Sequence, residues 1–215
     1  MSELEIIGVP QSNFVRTVRI ACEEKQVPYR LTRGIPRSPE VNAIHPLGKI
    51  PVMRHGEFSL CESKAIATYI DRVFPGPRLF PEEPMRCAKI EQWVSIANTV
   101  IIPAMNAYLR CYFFPKGADG GPDRAIIDKT LPEVRAQVDM CNRAVAQTGH
   151  LVGADFSYAD MNLVPVLAYL HECPESGEIL DAAKELAQYF AGHSARASFK
   201  ATVPPPFSEL RLGSP

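Results

Sequence analysis

The sequence predicts an α/β N-terminal domain of βαβ-α-ββα order followed by an all-α domain, and three observations predict it. Between residues 4 and 73, short apolar strand segments alternate with stretches whose apolar residues repeat at helical spacing. Residues 74–84 then gather four prolines and a glycine, the composition of a stiff linker. Beyond that linker every periodic segment is helical. The division expected is residues 1–75, a linker over 76–84, and a helical domain over 85–215.

Leu4 to Val9 reads as a strand ending at Pro10. Ser12 follows as an N-cap, and Val15, Val18, Ala21 and Cys22 form one helical face to about Lys25. Val27 to Thr32 is the next strand, so the helix between makes a right-handed crossover. Pro36 and Pro39 leave residues 33–44 as a loop or short irregular helix. Ile50 to Arg54 turns at His55-Gly56 into Phe58 to Cys61. Because Pro51 cannot donate to a ladder, this hairpin is expected at the sheet edge. Ser63 is expected as the N-cap of a helix whose Ala65, Ile66, Tyr69, Ile70 and Val73 share a face. Together these elements make the thioredoxin-like arrangement.

In the second half, residues 85–112 form a long helix through Ile90, Trp93, Ile96, Ala97 and Val100, interrupted or kinked at Pro103. Residues 116–122 are a polar, Gly-rich loop. From Asp123 to about Gln147, Leu131, Val134, Val138, Cys141 and Val145 repeat three and four apart. Ser157 with Asp160 three residues on is a capping box, flanked by Phe156 and Met161 at the staple positions. The apolar run from Leu163 to Leu170 suits a helix covered all round. A last helix is expected over 178–191, and the tail containing Pro204-Pro205-Pro206 is expected to be extended or disordered.

Composition narrows the function classes. With 23 basic and 24 acidic residues intermixed, the net charge is −1, which gives no long-range attraction to nucleic acid or anionic membrane. No apolar run approaches a membrane span, and the acidic N-terminus shows no signal peptide, so a cytoplasmic protein is expected. The six cysteines are dispersed without a Cys-x-x-Cys or Cys/His cluster. That pattern indicates neither a disulfide framework nor a metal site, and it fits a reducing compartment.

The stretch from His45 to Ile70 offers two ligand surfaces. Pro51 has no N–H and leaves the main chain at Ile50 open on one side, where an extended peptide can add its backbone. The helix opening at Ser63 lacks a capping-box partner, because Ile66 stands where a Glu or Gln would be. Its N–H groups and positive dipole end therefore suit an anion, and Glu62 beside them suits an ammonium group. A short peptide carrying an amino-acid head fits both surfaces.

The residues His45-Pro46-Leu47-Gly48-Lys49-Ile50-Pro51 and then Glu62-Ser63-Lys64-Ala65-Ile66 resemble the glutathione-site half of the cytosolic glutathione S-transferases. In that family a His/Asn-Pro-x-Gly-x-Ile/Val-Pro turn with a cis proline precedes Glu-Ser-x-Ala-Ile. The resemblance spans essentially the whole chain and is strongest over residues 4–73. It implies glutathione as co-substrate, no metal, a small hydrophobic electrophile as second substrate, and a homodimer. It also implies main-chain pairing of the tripeptide's cysteine at Ile50, next to Pro51. The γ-glutamyl amine and carboxylate would be held by Glu62 and Ser63, and the glycine end by Lys49. His45 stands where the family frequently has asparagine, and a histidine there is expected to pack or bond locally.

Activating glutathione requires a thiol of pKa about 8.5 to ionise near neutral pH, so a donor must stabilise the thiolate. At the strand–helix junction a serine hydroxyl can accept from helix N–H groups while donating its own proton to sulfur. Pro10-Gln11-Ser12 resembles the serine-type branches of the family (theta, delta and phi), in a bacterial-style member. Ser12 is thus the catalytic candidate, with the Asn13 amide as runner-up. No tyrosine or cysteine lies at this junction, which disfavours a tyrosine-type site or a mixed-disulfide mechanism. The electrophile is expected between the domains, with Trp93, Asn98, Met105, Tyr108, Tyr112 and Phe113 available. Conjugation leads the alternatives: glutathione-dependent isomerisation, dehalogenation or peroxide reduction, and a non-catalytic binding module.

Overall fold

The computed structural model describes residues 3–210, in two compact units. The first comprises residues up to Phe80 together with those from Arg196, and the second runs from Pro81 to Ala195.

The first unit is built on a four-stranded sheet of order β2-β1-β3-β4. Strands β1 (Leu4–Ile7) and β2 (Tyr29–Thr32) are parallel, joined by helix α1 (Asn13–Glu24). Strand β3 (Val52–His55) runs antiparallel to β1, and β4 (Phe58–Cys61) antiparallel to β3. A short α2 (Pro39–Asn42) follows β2, and α3 (Ser63–Val73) follows β4. Strand alternation divides the apolar residues between two faces. Leu4, Ile6 and Met53 join Val15, Val18, Ile66 and Ile70 of α1 and α3, while Ile7 and Val52 meet Val41 of α2.

Two sequence expectations change here. The hairpin is not wholly at the edge: β3 is paired on both sides, and of the two hairpin strands only β4 lies at an edge of the sheet. Pro51 lies one residue before the ladder begins, so its missing N–H removes no ladder bond. The N-cap of α3 is Glu62 and not Ser63, because the Glu62 carbonyl accepts the first helical bond, from Ile66 N–H at 2.9 Å.

The linker begins inside the first unit. Buried Lys25 donates to Asp71 Oδ1 at 3.1 Å, to the Asp71 carbonyl at 3.3 Å and to the Pro77 carbonyl at 3.1 Å. Asp71 Oδ1 also accepts from Leu79 N–H at 2.9 Å, which ties residues 77–79 down.

The second unit contains α4 (Pro84–Ile96), α5 (Ile102–Phe113), α6 (Arg124–Val145), α7 (Tyr158–Glu172), α8 (Pro174–Ala182) and α9 (Lys184–Ser194). Between α4 and α5 the helix widens to a π-helical stretch over Ala97–Ile101, with Ile102 N–H bonding to the Ala97 carbonyl. This irregularity leads into Pro103, which cannot donate within a helix. Helix α7 is buried nearly all round, and its Asp160 is the hub. Asp160 Oδ2 accepts from Ser157 N–H at 2.9 Å and Ser157 Oγ at 3.0 Å, and Oδ1 from Leu151 N–H at 2.9 Å and Tyr189 O–H at 3.1 Å. Among the described residues no helix is long and apolar enough to cross a membrane.

The single helix expected over 178–191 is two, α8 and α9, separated at Ala183. The tail differs more. Residues from Arg196 group with the first unit instead of the helical domain expected over 85–215, and they form α10 (Ala197–Ala201) and a 3-10 turn (Phe207–Glu209). They are ordered by side chains of α1: Arg16 donates to the Phe199 carbonyl at 3.2 Å, and Arg196 pairs with Glu24 at 2.6 Å.

Candidate functional site

Sheet register gathers the candidate residues of the first unit at one end of the sheet. Ile7 pairs with Val52, and Val52 with Cys61, so these three lie in one row. From that row the chain leaves toward Ser12, arrives from Ile50, and turns at Glu62 into Ser63. Gly8 lets the segments close up: a Cβ there would sit 2.5 Å from Val15 Cγ2 and 3.5 Å from Ile50 Cβ. Ile50 in turn packs on the cluster that includes Val15 and Ile66, the residues three beyond Ser12 and three beyond Ser63.

Ser12 is the N-cap of α1, with extended backbone and an Oγ that accepts from Val15 N–H at 3.4 Å. That is a long bond, and the hydroxyl proton finds no acceptor among the described residues. Beside it, Asn13 Nδ2 is buried with no hydrogen-bond partner among the described residues. A buried amide N–H without a partner costs free energy that a bound acceptor would recover.

The Ile50–Pro51 bond is cis. Neither main-chain group of Ile50 has a partner among the described residues, so the backbone there is open although β3 itself is interior. The preceding turn is held internally: Gly48 N–H bonds to the His45 carbonyl and Arg37 N–H to the Gly48 carbonyl, both at 2.9 Å. His45 is buried, and its Nδ1 accepts from Leu47 N–H at 3.0 Å. Nε2 therefore carries the proton, facing Glu62 Oε1 at 3.3 Å. His45 thus bonds locally, and it also ties the turn to Glu62. Lys49 is exposed and has no partner among the described residues.

Glu62 adopts φ 69°, ψ 115°, a backbone conformation uncommon for a residue with a side chain. Such strain persists where surroundings enforce it, and it often marks ligand sites. Its side chain is mostly exposed and makes no cap. Ser63 is only 6% exposed, yet its hydroxyl has no partner among the described residues. The Ser63 and Ala65 N–H groups at the positive end of α3 stand beside that hydroxyl, an arrangement whose charge suits an anion.

No cysteine enters this site from α1: Cys22 is fully buried, and burial pushes its thiol far up, away from the thiolate. Burial likewise pushes Cys141 and Cys173 up to about 12.

In the second unit five of the six residues expected for the electrophile, all but Trp93, are engaged in its own packing. Met105 and Tyr108 are buried, and Asn98 Oδ1 accepts from Asn162 Nδ2 at 2.8 Å. Tyr108 and Tyr112 both donate to Glu175, and Phe113 packs edge-on to Tyr169. A cavity of about 260 Å³ lies instead beside Arg110, Cys111, Phe114 and Ile126, residues no sequence motif singled out. His150, Asp160 and His193 bring three ligand atoms within 4.8 Å of one another. Each Asp160 oxygen already accepts two hydrogen bonds, so that carboxylate is committed to the cap.

Residues 6–78 match the family model described as glutathione S-transferase, N-terminal domain, and residues 124–192 the one described as glutathione S-transferase, C-terminal domain. Glutathione S-transferase 3 of maize (Zea mays) is 28% identical over 221 residues, covering 97% of this chain and 99% of the relative. Glutathione S-transferase F10 of Arabidopsis thaliana is 27% identical over 172 residues, covering 79% and 80%. The crystal structure of poplar glutathione transferase F1 has TM-score 0.85 at 27% identity, covering 94% of this chain and 97% of that one. These plant relatives do not support the bacterial-style, theta- or delta-like expectation. The two family models together span well over half of the sequence, and the chain belongs to the glutathione S-transferase family.

Proposed function

We propose that this chain joins the glutathione thiol to apolar electrophiles, using a phi-like serine site in the first unit. One observation carries the reading: the segments leaving a single sheet row present polar groups with no partner among the described residues. These are the Ser12 hydroxyl proton, Asn13 Nδ2, the Ile50 main chain and the Ser63 hydroxyl. Each matches one part of the tripeptide.

The Ser12 O–H donates to the glutathione sulfur and favours the thiolate over the thiol, while Oγ stays capped to Val15. Asn13 Nδ2 adds a second donor on the same turn. Ile50, whose main-chain groups have no partner among the described residues, pairs them with those of the cysteine residue. The γ-glutamyl carboxylate takes the Ser63 hydroxyl and the first N–H groups of α3, and its amine takes Glu62, whose other contact is His45. Lys49 receives the glycine carboxylate. Lone-pair attack by the thiolate on the electrophilic carbon forms the S–C bond, and the leaving group departs with its bonding pair.

Exposed apolar side chains, Phe58 and Leu47 in the first unit and Met85 and Val100 in the second, suit association into a homodimer. Sedimentation at micromolar concentration checks this, and a single-chain mass would contradict it. Retention on immobilised glutathione, followed by conjugation assays with several electrophiles, tests the function. Retention without turnover of any electrophile would favour a binding module, and turnover confined to peroxides or isomerisable substrates a different glutathione chemistry.

A further inference from the structure

We propose that Gln11 and the proline segment 204–206 form a clamp that positions Ser12 for glutathione. This inference rests on Ser12 being the thiolate donor. Three consecutive prolines have no N–H to offer, so this segment presents only carbonyl acceptors on a backbone already restricted to the extended region; Pro206 sits at φ −53°, ψ 150°. Facing it is Gln11, the residue before Ser12 and only 5% exposed. Gln11 Nε2 donates to the Pro205 carbonyl at 3.3 Å and to the Pro206 carbonyl at 3.4 Å.

The segment is delivered to that point by a series of contacts along α1. Arg196 pairs with Glu24 at the far end of the helix through bonds of 2.6 and 2.8 Å. Arg19 donates to the Thr202 and Ala201 carbonyls at 3.2 and 3.4 Å. Buried Arg16 donates to the Phe199 carbonyl and lays its guanidinium 3.8 Å over the Phe199 ring. These contacts set the register in which Pro205 and Pro206 meet Gln11.

The Ser12 turn needs support of this kind. Within the turn, Ser12 N–H bonds to the Val9 carbonyl at 3.0 Å, but the Ser12 cap to Val15 is long, at 3.4 Å. A side chain adjacent to Ser12 and anchored to a stiff acceptor strip fixes the direction from which its hydroxyl meets sulfur. Gln11 is accordingly a positioning residue acting through Ser12.

Gln11→Ala, a chain shortened after Val203, and the combination of both test this, with glutathione and an aryl halide as substrates. A misplacement of about 1 Å can cost about a hundredfold in rate, and each single change is expected to lower kcat about tenfold. Each should also raise the pH at which bound glutathione ionises, read from thiolate absorbance, while KM for glutathione stays within about twofold. The combination should be no worse than the poorer single change, because both break the same clamp. Unchanged kcat and thiol ionisation with only a lower Tm would overturn the proposal, as would strictly multiplicative effects. Ser12→Ala run alongside separates the failures. If it slows turnover and the clamp variants do not, only the clamp is refuted; if it too is inert, the serine assignment falls with it.

Discussion

Ser63→Ala separates a helix cap from a ligand receptor, because the hydroxyl makes no cap bond and has no partner among the described residues. Glu62 occupies the N-cap position, Ser63 is the first helical residue, and its Oγ has no partner among the described residues. A true N-cap serine replaced by alanine costs about 1 kcal/mol of stability. Here no cap bond is lost, and alanine is the better helix former, so stability should change by less than about 0.5 kcal/mol. If the hydroxyl receives the γ-glutamyl carboxylate, its removal forfeits a charge-assisted hydrogen bond of about 1.5–3 kcal/mol. That is roughly a ten- to hundredfold rise in Kd. Calorimetric titration with glutathione and a thermal melt of the same variant read the two quantities independently. Unchanged Kd with a lowered Tm would return Ser63 to a structural role and move the carboxylate elsewhere.

Three further outcomes follow from contacts outside the thiol site. Lys25→Met leaves buried Asp71 without its cation and should cost about 3–5 kcal/mol in denaturant unfolding, despite the added apolar surface; a change below about 1 kcal/mol would contradict it. Asp160→Ala strands the Leu151 and Ser157 N–H groups and the Tyr189 hydroxyl, each worth about 1–3 kcal/mol. The second unit should then melt well below the wild type, and an unshifted melt would exclude the hub role. Burial raises the Glu175 pKa, but bonds from Tyr112, Arg124 and Tyr108 outweigh it and hold the carboxyl at about 2. A depressed folded-state pKa gives stability that is present above the ordinary carboxylate value of 4.5 and is lost as pH falls toward 2. The Tm gap between wild type and Glu175→Gln should therefore be full at pH 6 and close across that window, and a gap independent of pH would contradict the network.

What the sequence made legible was what local chemistry dictates. Ser12 before the Val15–Val18–Cys22 face, and Ser157 with Asp160 three residues on, are signals written within one helical turn, and the structure places both caps there. Ser63 was misplaced by one position because serine is a favoured N-cap, whereas the start of α3 is set by the unusual backbone of Glu62, which a glutamate does not advertise. Pro51 suggested an edge strand because the rule concerns ladder positions, and this proline stops one residue short of the ladder. Pro174 at the first position of α8 was a readable start signal for the helix that the periodicity merged with α9. The tail could not be read locally: its partners Gln11, Arg16 and Arg19 lie some 180 residues or more earlier, and a proline run by itself announces only extension. The unpartnered Asn13 amide was likewise invisible, since burial without a partner is a property of packing and not of residue type.

In the proposed mechanism the Ser12 hydroxyl, capped to α1 and with its proton unclaimed among the described residues, holds glutathione as the thiolate. Ser12→Ala, assayed at saturating glutathione with the ionisation of the bound thiol followed against pH, tests it most directly. Turnover should fall about 10²-fold or more, the scale of removing one oriented donor, with the bound thiol ionising at higher pH and glutathione affinity weakened much less. Turnover within a factor of about two and an unmoved ionisation would contradict the account, leave Ser12 a cap, and turn attention to Asn13.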